Sequence, residues 1–210
     1  MVRIYNQDCL VAMKQMKEEY FDLAIVDPPY GIGMGAHSDF VSDRRGGGRK
    51  AFKKKEWDKS IPSKEYFDEL FRVSKNQIIW GANYFPQYLF GTMGWIFWDK
   101  GQNLAQSDGE LAFSSFNRAF RRVIINRREL QKEGTIHPTQ KPIKLYKWLI
   151  NNYAQGTDCK ILDTHLGSGS SAIAAYDMGY DFTGYEIDKD YFEASEARLN
   201  HHMQQGRLFE

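Results

Sequence analysis

"CKILDTHLGSGSSAIAAYDMGYDFTGYEID", residues 159–188, is the stretch that decides how this chain folds. An apolar run ends on a carboxylate, a glycine loop follows, then an alanine-rich segment without breakers, then a second apolar run. Strand, glycine loop, helix and strand in that order form a βαβ unit, whose two strands lie parallel in one sheet. Gly167, Gly169 and Ala172 satisfy the pattern G-x-G-x-x-G/A, and Glu186 follows seventeen residues after Gly169, at the end of the next strand, where a carboxylate can hold a ribose. Alone, the pattern fits any cofactor built on adenosine, a dinucleotide of the oxidoreductases included.

Asp163 narrows the choice. It ends the first strand, near where a dinucleotide pyrophosphate would sit, and a carboxylate there repels phosphate. It suits a cofactor with positive charge and no phosphate. S-adenosylmethionine, with its adenosine, sulfonium and α-ammonium groups, matches. No G-K-[ST] sequence is present, which argues against a P-loop nucleotide site.

Outward from this unit, strands continue to alternate with helices. "VRIY" reads as a strand, and "CLVAMKQMKEE" carries Leu10 and Met13 at helical spacing. "FDLAIV" is nearly all apolar, as in a central parallel strand. "SKEYFDELFRVS" predicts a helix capped by Ser63, with Phe67, Leu70 and Phe71 on one face. "QIIWGAN", "GWIFWDK", "ELAFSSF" and "RRVIINRR" predict further strands, and "HPTQKPIKLYKWLINNYA" a turn followed by a helix with Ile143, Tyr146, Leu149, Ile150 and Tyr153 on one stripe. The last helix begins near Asp188. The fold class is therefore α/β: a mixed, mostly parallel sheet with helices on both faces, in a single domain over 1–210.

With 42% hydrophobic and 26% charged residues the composition is that of an ordinary globular protein. The two cysteines, Cys9 and Cys159, are far apart and lack metal-ligand spacing, which points to a reducing compartment and, with no signal-peptide layout, to the cytoplasm. No apolar stretch is long enough to span a membrane. Net charge is only +1, but its distribution is uneven. "RRGGGRKAFKKK" (44–55) carries seven Lys or Arg and no acid, and "RAFRRVIINRR" (118–128) carries five Arg and no acid. Two such blocks in a near-neutral chain predict a nucleic-acid partner.

One tetrapeptide stands apart. "DPPY", Asp27 to Tyr30, ends the apolar run "LAIV" with two residues that fix φ and donate no backbone hydrogen bond. With "HPTQKP" and a glycine loop preceded by Asp in one chain, the sequence resembles the DNA amino-methyltransferases, and more closely the permuted group in which the catalytic motif precedes the cofactor motif. "NQDCL", "IVDPPYG", "IIWGANYF", "WIFWDK", "HPTQKP", "DTHLGSGS" and "GYEID" fall in the order of that group, so the resemblance covers nearly the whole chain.

The resemblance implies a Rossmann-like, S-adenosylmethionine-dependent methyltransferase fold and methylation of an exocyclic amine in double-stranded DNA. Adenine N6 is preferred because Asp27 holds the first motif position, with cytosine N4 as the alternative. It implies that Asp27 and the carbonyl of Pro28 accept the two amine hydrogens, that Pro29 stiffens the loop and that Tyr30 stacks on a flipped-out base. For the cofactor it implies Asp8 with Cys9 at the adenine, Glu186 with Ile187 at the ribose and ring, Asp163, His165, Gly167, Ser168 and Gly169 in the loop, and His137, Thr139 and Lys141, with Asp27, around the methionine end. Arg44, Arg45, Arg49, Lys50, Lys53 and Lys54, in a long basic loop over about 31–60, are expected to grip phosphates and close over the site. Arg118, Arg121, Arg122, Arg127 and Arg128 belong to a short recognition region over about 101–136. So short a region suits a short target or a homodimer.

The family loop commonly reads "DPFxGSGT", whereas this chain has "DTHLGSGS". His165 in place of the aromatic ring predicts weaker cofactor binding below about pH 6, because a protonated imidazole opposes the sulfonium. A non-catalytic nucleic-acid-binding protein that keeps the fold is the reading from another class, and intact Asp27, Tyr30, Asp163 and Glu186 argue against it.

Overall fold

The fold was derived from a computed structural model, which describes residues 1–35, 54–101, 107–126 and 128–206. The sheet has eight strands: β1 (Val2–Tyr5), β2 (Phe21–Val26), β3 (Ser74–Trp80), β4 (Ile96–Asp99), β5 (Gly109–Ser114), β6 (Arg121–Ile124), β7 (Lys160–Asp163) and β8 (Asp181–Tyr185). Their order across the sheet is β1-β8-β7-β2-β3-β5-β4-β6. β1, β8, β7, β2 and β3 run parallel, and β5 is antiparallel to both β3 and β4. The sheet is mixed and mostly parallel, as the strand and helix alternation predicts.

Among the described residues six α-helices cover it: α1 (Cys9–Met13), α2 (Lys64–Val73), α3 (Arg128–Glu133), α4 (Ile143–Tyr153), α5 (Ser170–Asp177) and α6 (Lys189–Gly206). Alternation along the strands feeds two cores. Leu23, Ile25, Ile78 and Trp80 meet α4, α5 and Leu199 of α6 on one face. Ala24, Val26, Ile79 and Phe113 meet α1 and α2 on the other. Strands with both faces covered must be apolar throughout, which is why "LAIV" lacks a polar alternation. Ser63 caps α2 by accepting from Tyr66 N, as its position in the sequence predicts. The segment after Met13 does not continue α1 as its spacing suggests; it turns back at Lys14. No described helix is long and apolar enough to cross a membrane.

The connections fix where a ligand can bind. From β2 the chain moves to β3 on one side, and from β7 it moves to β8 on the other. The order therefore reverses between β2 and β7, which are paired in parallel with Leu23 opposite Ile161 and Ala24 opposite Leu162. The crevice beyond the carboxyl ends of strands at such a switch point is where open α/β sheets bind ligands. "DPPY" leaves β2 there and the glycine loop leaves β7 beside it.

Candidate active site

The crevice holds a cavity of about 700 Å³ lined by Asp27, Pro28, Pro29, Tyr30, Tyr84 and Glu110, among others, and by the Thr139–Lys141 turn. Within it, Asp27 is held from both sides: Oδ1 accepts from the Tyr30 hydroxyl at 2.5 Å, and Oδ2 from the Lys141 ammonium at 2.5 Å. Lys141 also reaches Glu110 at 3.0 Å, and Glu110 in turn pairs with Lys100 at 2.9 Å. Two carboxylates and two ammonium groups thus alternate along one buried chain. Burial pushes the Asp27 carboxyl up, with the Lys141 ammonium pulling against it. Burial also works against a charged Lys141, but Asp27 and Glu110 outweigh it and its pKa is raised. Glu110 is lowered to about 2, because Lys141 and Lys100 overcome the burial that opposes its charge.

The Tyr30 ring is seated by a glycine. A Cβ on Gly81, at φ 67°, would stand 2.0 Å from Tyr30 Cε1 and 2.4 Å from each bonded neighbour, directly above the ring face. Only a residue without Cβ lets β3 end against that ring. Tyr84, exposed in the following 3-10 turn, stacks on Tyr30 with centroids 4.9 Å apart and planes at 12°.

The glycine loop lies beside the cavity. Asp163 is buried; Oδ2 accepts from Ser171 Oγ at 2.6 Å and Oδ1 from His165 N at 3.0 Å. Burial pushes it up to about 7. Glu186 accepts from Gly167 N at 2.8 Å and from Asp188 N at 2.9 Å, and burial raises it as well. Gly169, at φ 73°, lies so close to α6 that a Cβ would come within 3.2 Å of Ser195 Cβ. The end of β1 is tied to this region, since Asn6 Nδ2 donates to Glu186 O at 2.8 Å. Asp8 accepts from Leu10 N and so caps α1, with Cys9 beside it pushed up to about 12 by burial. Ile187 is exposed beside Glu186. Among the described residues neither Asp163 nor Glu186 forms an ion pair. A donor set of backbone N–H groups with buried, uncompensated carboxylates fits a ligand that carries adenosine and positive charge, as S-adenosylmethionine does.

The HPTQKP turn divides between the glycine loop and the cavity. His137 faces the glycine loop: its ring lies 3.8 Å from where a Gly167 Cβ would stand, its centroid is 4.3 Å from that of Tyr191, and Nδ1 accepts from Thr139 N at 3.4 Å. Burial takes it down to about 3. Gln140 locks the turn through Ile136 N and Gly134 O. Lys141 points the other way, where the carboxylates of Asp27 and Glu110 hold its ammonium in the cavity.

His165 calls for a correction. Burial takes its pKa down to about 4, while Thr164 Oγ1 lies 2.9 Å from its Nδ1 and Tyr66 packs edge-on against its ring. It is neutral at pH 6, so the expected loss of cofactor binding there has no basis in this residue.

The basic residues fare unevenly. Arg44, Arg45, Arg49, Lys50, Lys53 and Arg127 lie outside the described residues. Lys54, Arg121 and Arg128 are exposed. Arg118 donates to Asn152 O and packs over Phe116 and Tyr153, and Arg122 pairs with Asp99, so structural contacts engage both side chains. Sequence reasoning missed Lys100, Glu110, Gly81, Tyr84 and Asp58. Only Gly81 carried a signal, as a glycine ending a strand pattern.

Comparison with known proteins fits this geometry. The N6/N4 methylase model, described as DNA methylase, matches residues 77–197. The chain is 24% identical over 248 residues to the type II methyltransferase M.HpaI of Haemophilus parainfluenzae, covering 94% of this chain and 74% of that one. A solved complex of M1.HpyAVI with SAM superimposes with TM-score 0.64 at 21% identity, over 95% of this chain and all of the other. The cytosine-N4-specific PvuII DNA methyltransferase superimposes with TM-score 0.60 at 13% identity, over 96% and 89% of the two chains. At these identities the structural likeness bears on the fold, which is that of the methyltransferases.

Proposed function

The chain belongs to the N6/N4 DNA methylase family, and from that premise we propose that it moves a methyl group from S-adenosylmethionine to N6 of an adenine flipped out of double-stranded DNA. The observation that carries the reading is Asp27 lining the cavity, one strand from the glycine loop. When bound, the cofactor supplies an electrophilic methyl group on a sulfonium.

An exocyclic amine is a poor nucleophile because its lone pair is delocalised into the ring. Asp27 and the Pro28 carbonyl accept its two hydrogens and draw the nitrogen towards a tetrahedral geometry, which frees the lone pair. A carboxylate oxygen has two lone-pair sites, so Asp27 takes an amine hydrogen without losing Tyr30 or Lys141. Pro28 and Pro29 fix the carbonyl beforehand, so little reorganisation falls in the transfer step. Positive charge grows on the amine as the methyl group arrives, and Asp27 faces it. Lys141 alone would cancel that field; Glu110 shares Lys141 and leaves Asp27 its negative character. Glu186 holds the ribose hydroxyls, and Asp163 contributes negative charge toward the sulfonium side.

Asp27 in the first motif position supports adenine over cytosine. The permuted order, with "DPPY" before the glycine loop, supports the corresponding group within the family. Exposed Arg121 and Arg128 are candidates for phosphate contacts, which outnumber base contacts in such interfaces. A second copy of the chain would extend so small a recognition surface. The test is incubation with labelled S-adenosylmethionine and mixed-sequence duplex DNA, digestion to nucleosides and identification of the methylated base by mass. N6-methyladenine is the expected product. N4-methylcytosine would overturn the base assignment and keep the mechanism, and an unmodified duplex would overturn the reading.

A further inference from the structure

The two prolines stiffen the catalytic loop only on its upstream side. Downstream, residues 31–35 read Gly-Ile-Gly-Met-Gly, and Gly31 and Gly33 take φ values of 71° and 75°. Three glycines in five residues supply no stiffness of their own. Yet a ring and a carbonyl that meet a substrate must hold their place to about half an ångström.

We propose that Asp58 is the positioning residue that supplies this constraint; the inference rests on the methyl-transfer reading above and concerns the same site. Its Oδ1 accepts from Tyr30 N at 2.7 Å and from Gly31 N at 2.8 Å. Its Oδ2 accepts from Met34 N at 2.8 Å, and its backbone carbonyl from Gly33 N at 3.0 Å. Four of the five N–H groups from Tyr30 to Met34 therefore end on one residue. The carboxylate is 2% exposed and fills a nest of converging N–H groups, where an anion binds more strongly than a neutral acceptor.

Asp58 is itself held from outside the loop. Trp57 lies against His137 with centroids 5.1 Å apart, Lys55 pairs with Asp188, and Lys55 N donates to Gly35 O at 2.9 Å. Residues 55–58 thus touch the "DPPY" loop, the HPTQKP turn and the end of β8 together. Asp58 lines the cavity, and its carboxylate oxygens are taken up by these backbone N–H groups. It acts through the backbone of Tyr30 and Gly31, and so through the Pro28 carbonyl and the Tyr30 ring.

Two variants and two readouts test this. Asp58→Asn keeps one acceptor oxygen for Tyr30 N and Gly31 N and loses Met34 N, and Asp58→Ala loses all three. Assayed well below each variant's unfolding midpoint, kcat should fall about tenfold in Asp58→Asn and about a hundredfold in Asp58→Ala, with KM for S-adenosylmethionine unchanged. Amide exchange should accelerate at Tyr30, Gly31 and Met34 in Asp58→Ala and stay slow in α5. A merely structural role would lower the unfolding midpoint and leave kcat at the wild-type value, which overturns the proposal. Unchanged exchange at those three amides also overturns it. Exchange needs no activity, so it decides the matter even if wild-type protein methylates nothing, the result that would instead sink the proposed function.

Discussion

The cavity and the glycine loop handle their carboxylates in opposite ways. In the cavity, Asp27 and Glu110 alternate with Lys141 and Lys100, so the charges balance before any ligand arrives. Around the glycine loop, Asp163 and Glu186 are met by N–H and O–H donors and, among the described residues, form no ion pair. A neutral base requires no countercharge, and a cationic cofactor does. The contrast matches the division of labour between an acceptor site and a sulfonium site, and each carboxylate gives a way to break it.

The largest effect belongs to Asp27. Asp27→Ala removes an acceptor aimed at the reacting nitrogen and should lower kcat by about a thousandfold, measured in single turnover with saturating duplex. Lys141→Met tests the balance itself. It strands two buried carboxylates without their shared ammonium and should cost about 3 kcal/mol of stability by denaturant unfolding. It also lets burial raise Asp27 further, so residual activity should climb with pH as the carboxylate ionises.

Asp163 governs the glycine loop. Its folded-state pKa of about 7 lies above the unfolded value of about 3.9. The folded protein without cofactor thus binds the extra proton and loses stability as pH rises from near 4 through about 7. A cationic ligand prefers the ionised form, so affinity for S-adenosylmethionine should rise across pH 6 to 8, as titration calorimetry would register. Asp163→Asn should flatten that rise. The smallest effect is at His165. Because it is neutral down to about pH 4, His165→Phe should change cofactor affinity less than about tenfold and leave its pH dependence in place.

The sheet and the cofactor loop were legible because their signals are local. The βαβ unit at 159–188 announces itself by period and glycine spacing, and "DPPY" by two prolines after an apolar run. Four features were not. α3 is six residues long and too short to show a period. The antiparallel direction of β5 depends on which strands flank it, and no pattern within "ELAFSSF" encodes that. Lys141 sits in a legible motif, but its partner Glu110 is thirty-one positions upstream and Asp27 much farther. Asp58 likewise meets the catalytic loop only because the chain returns to it after a long excursion. Sequence showed which residue types carry the chemistry; only the fold shows which charges they share.

The most direct test of this division of charge is the affinity of S-adenosylmethionine for Asp27→Asn and Asp163→Asn side by side, by calorimetry at pH 8. The account predicts that Asp27→Asn binds within about threefold of wild type and that Asp163→Asn binds at least about tenfold more weakly. The reverse order, with Asp27→Asn the weaker binder and Asp163→Asn unchanged, would contradict it.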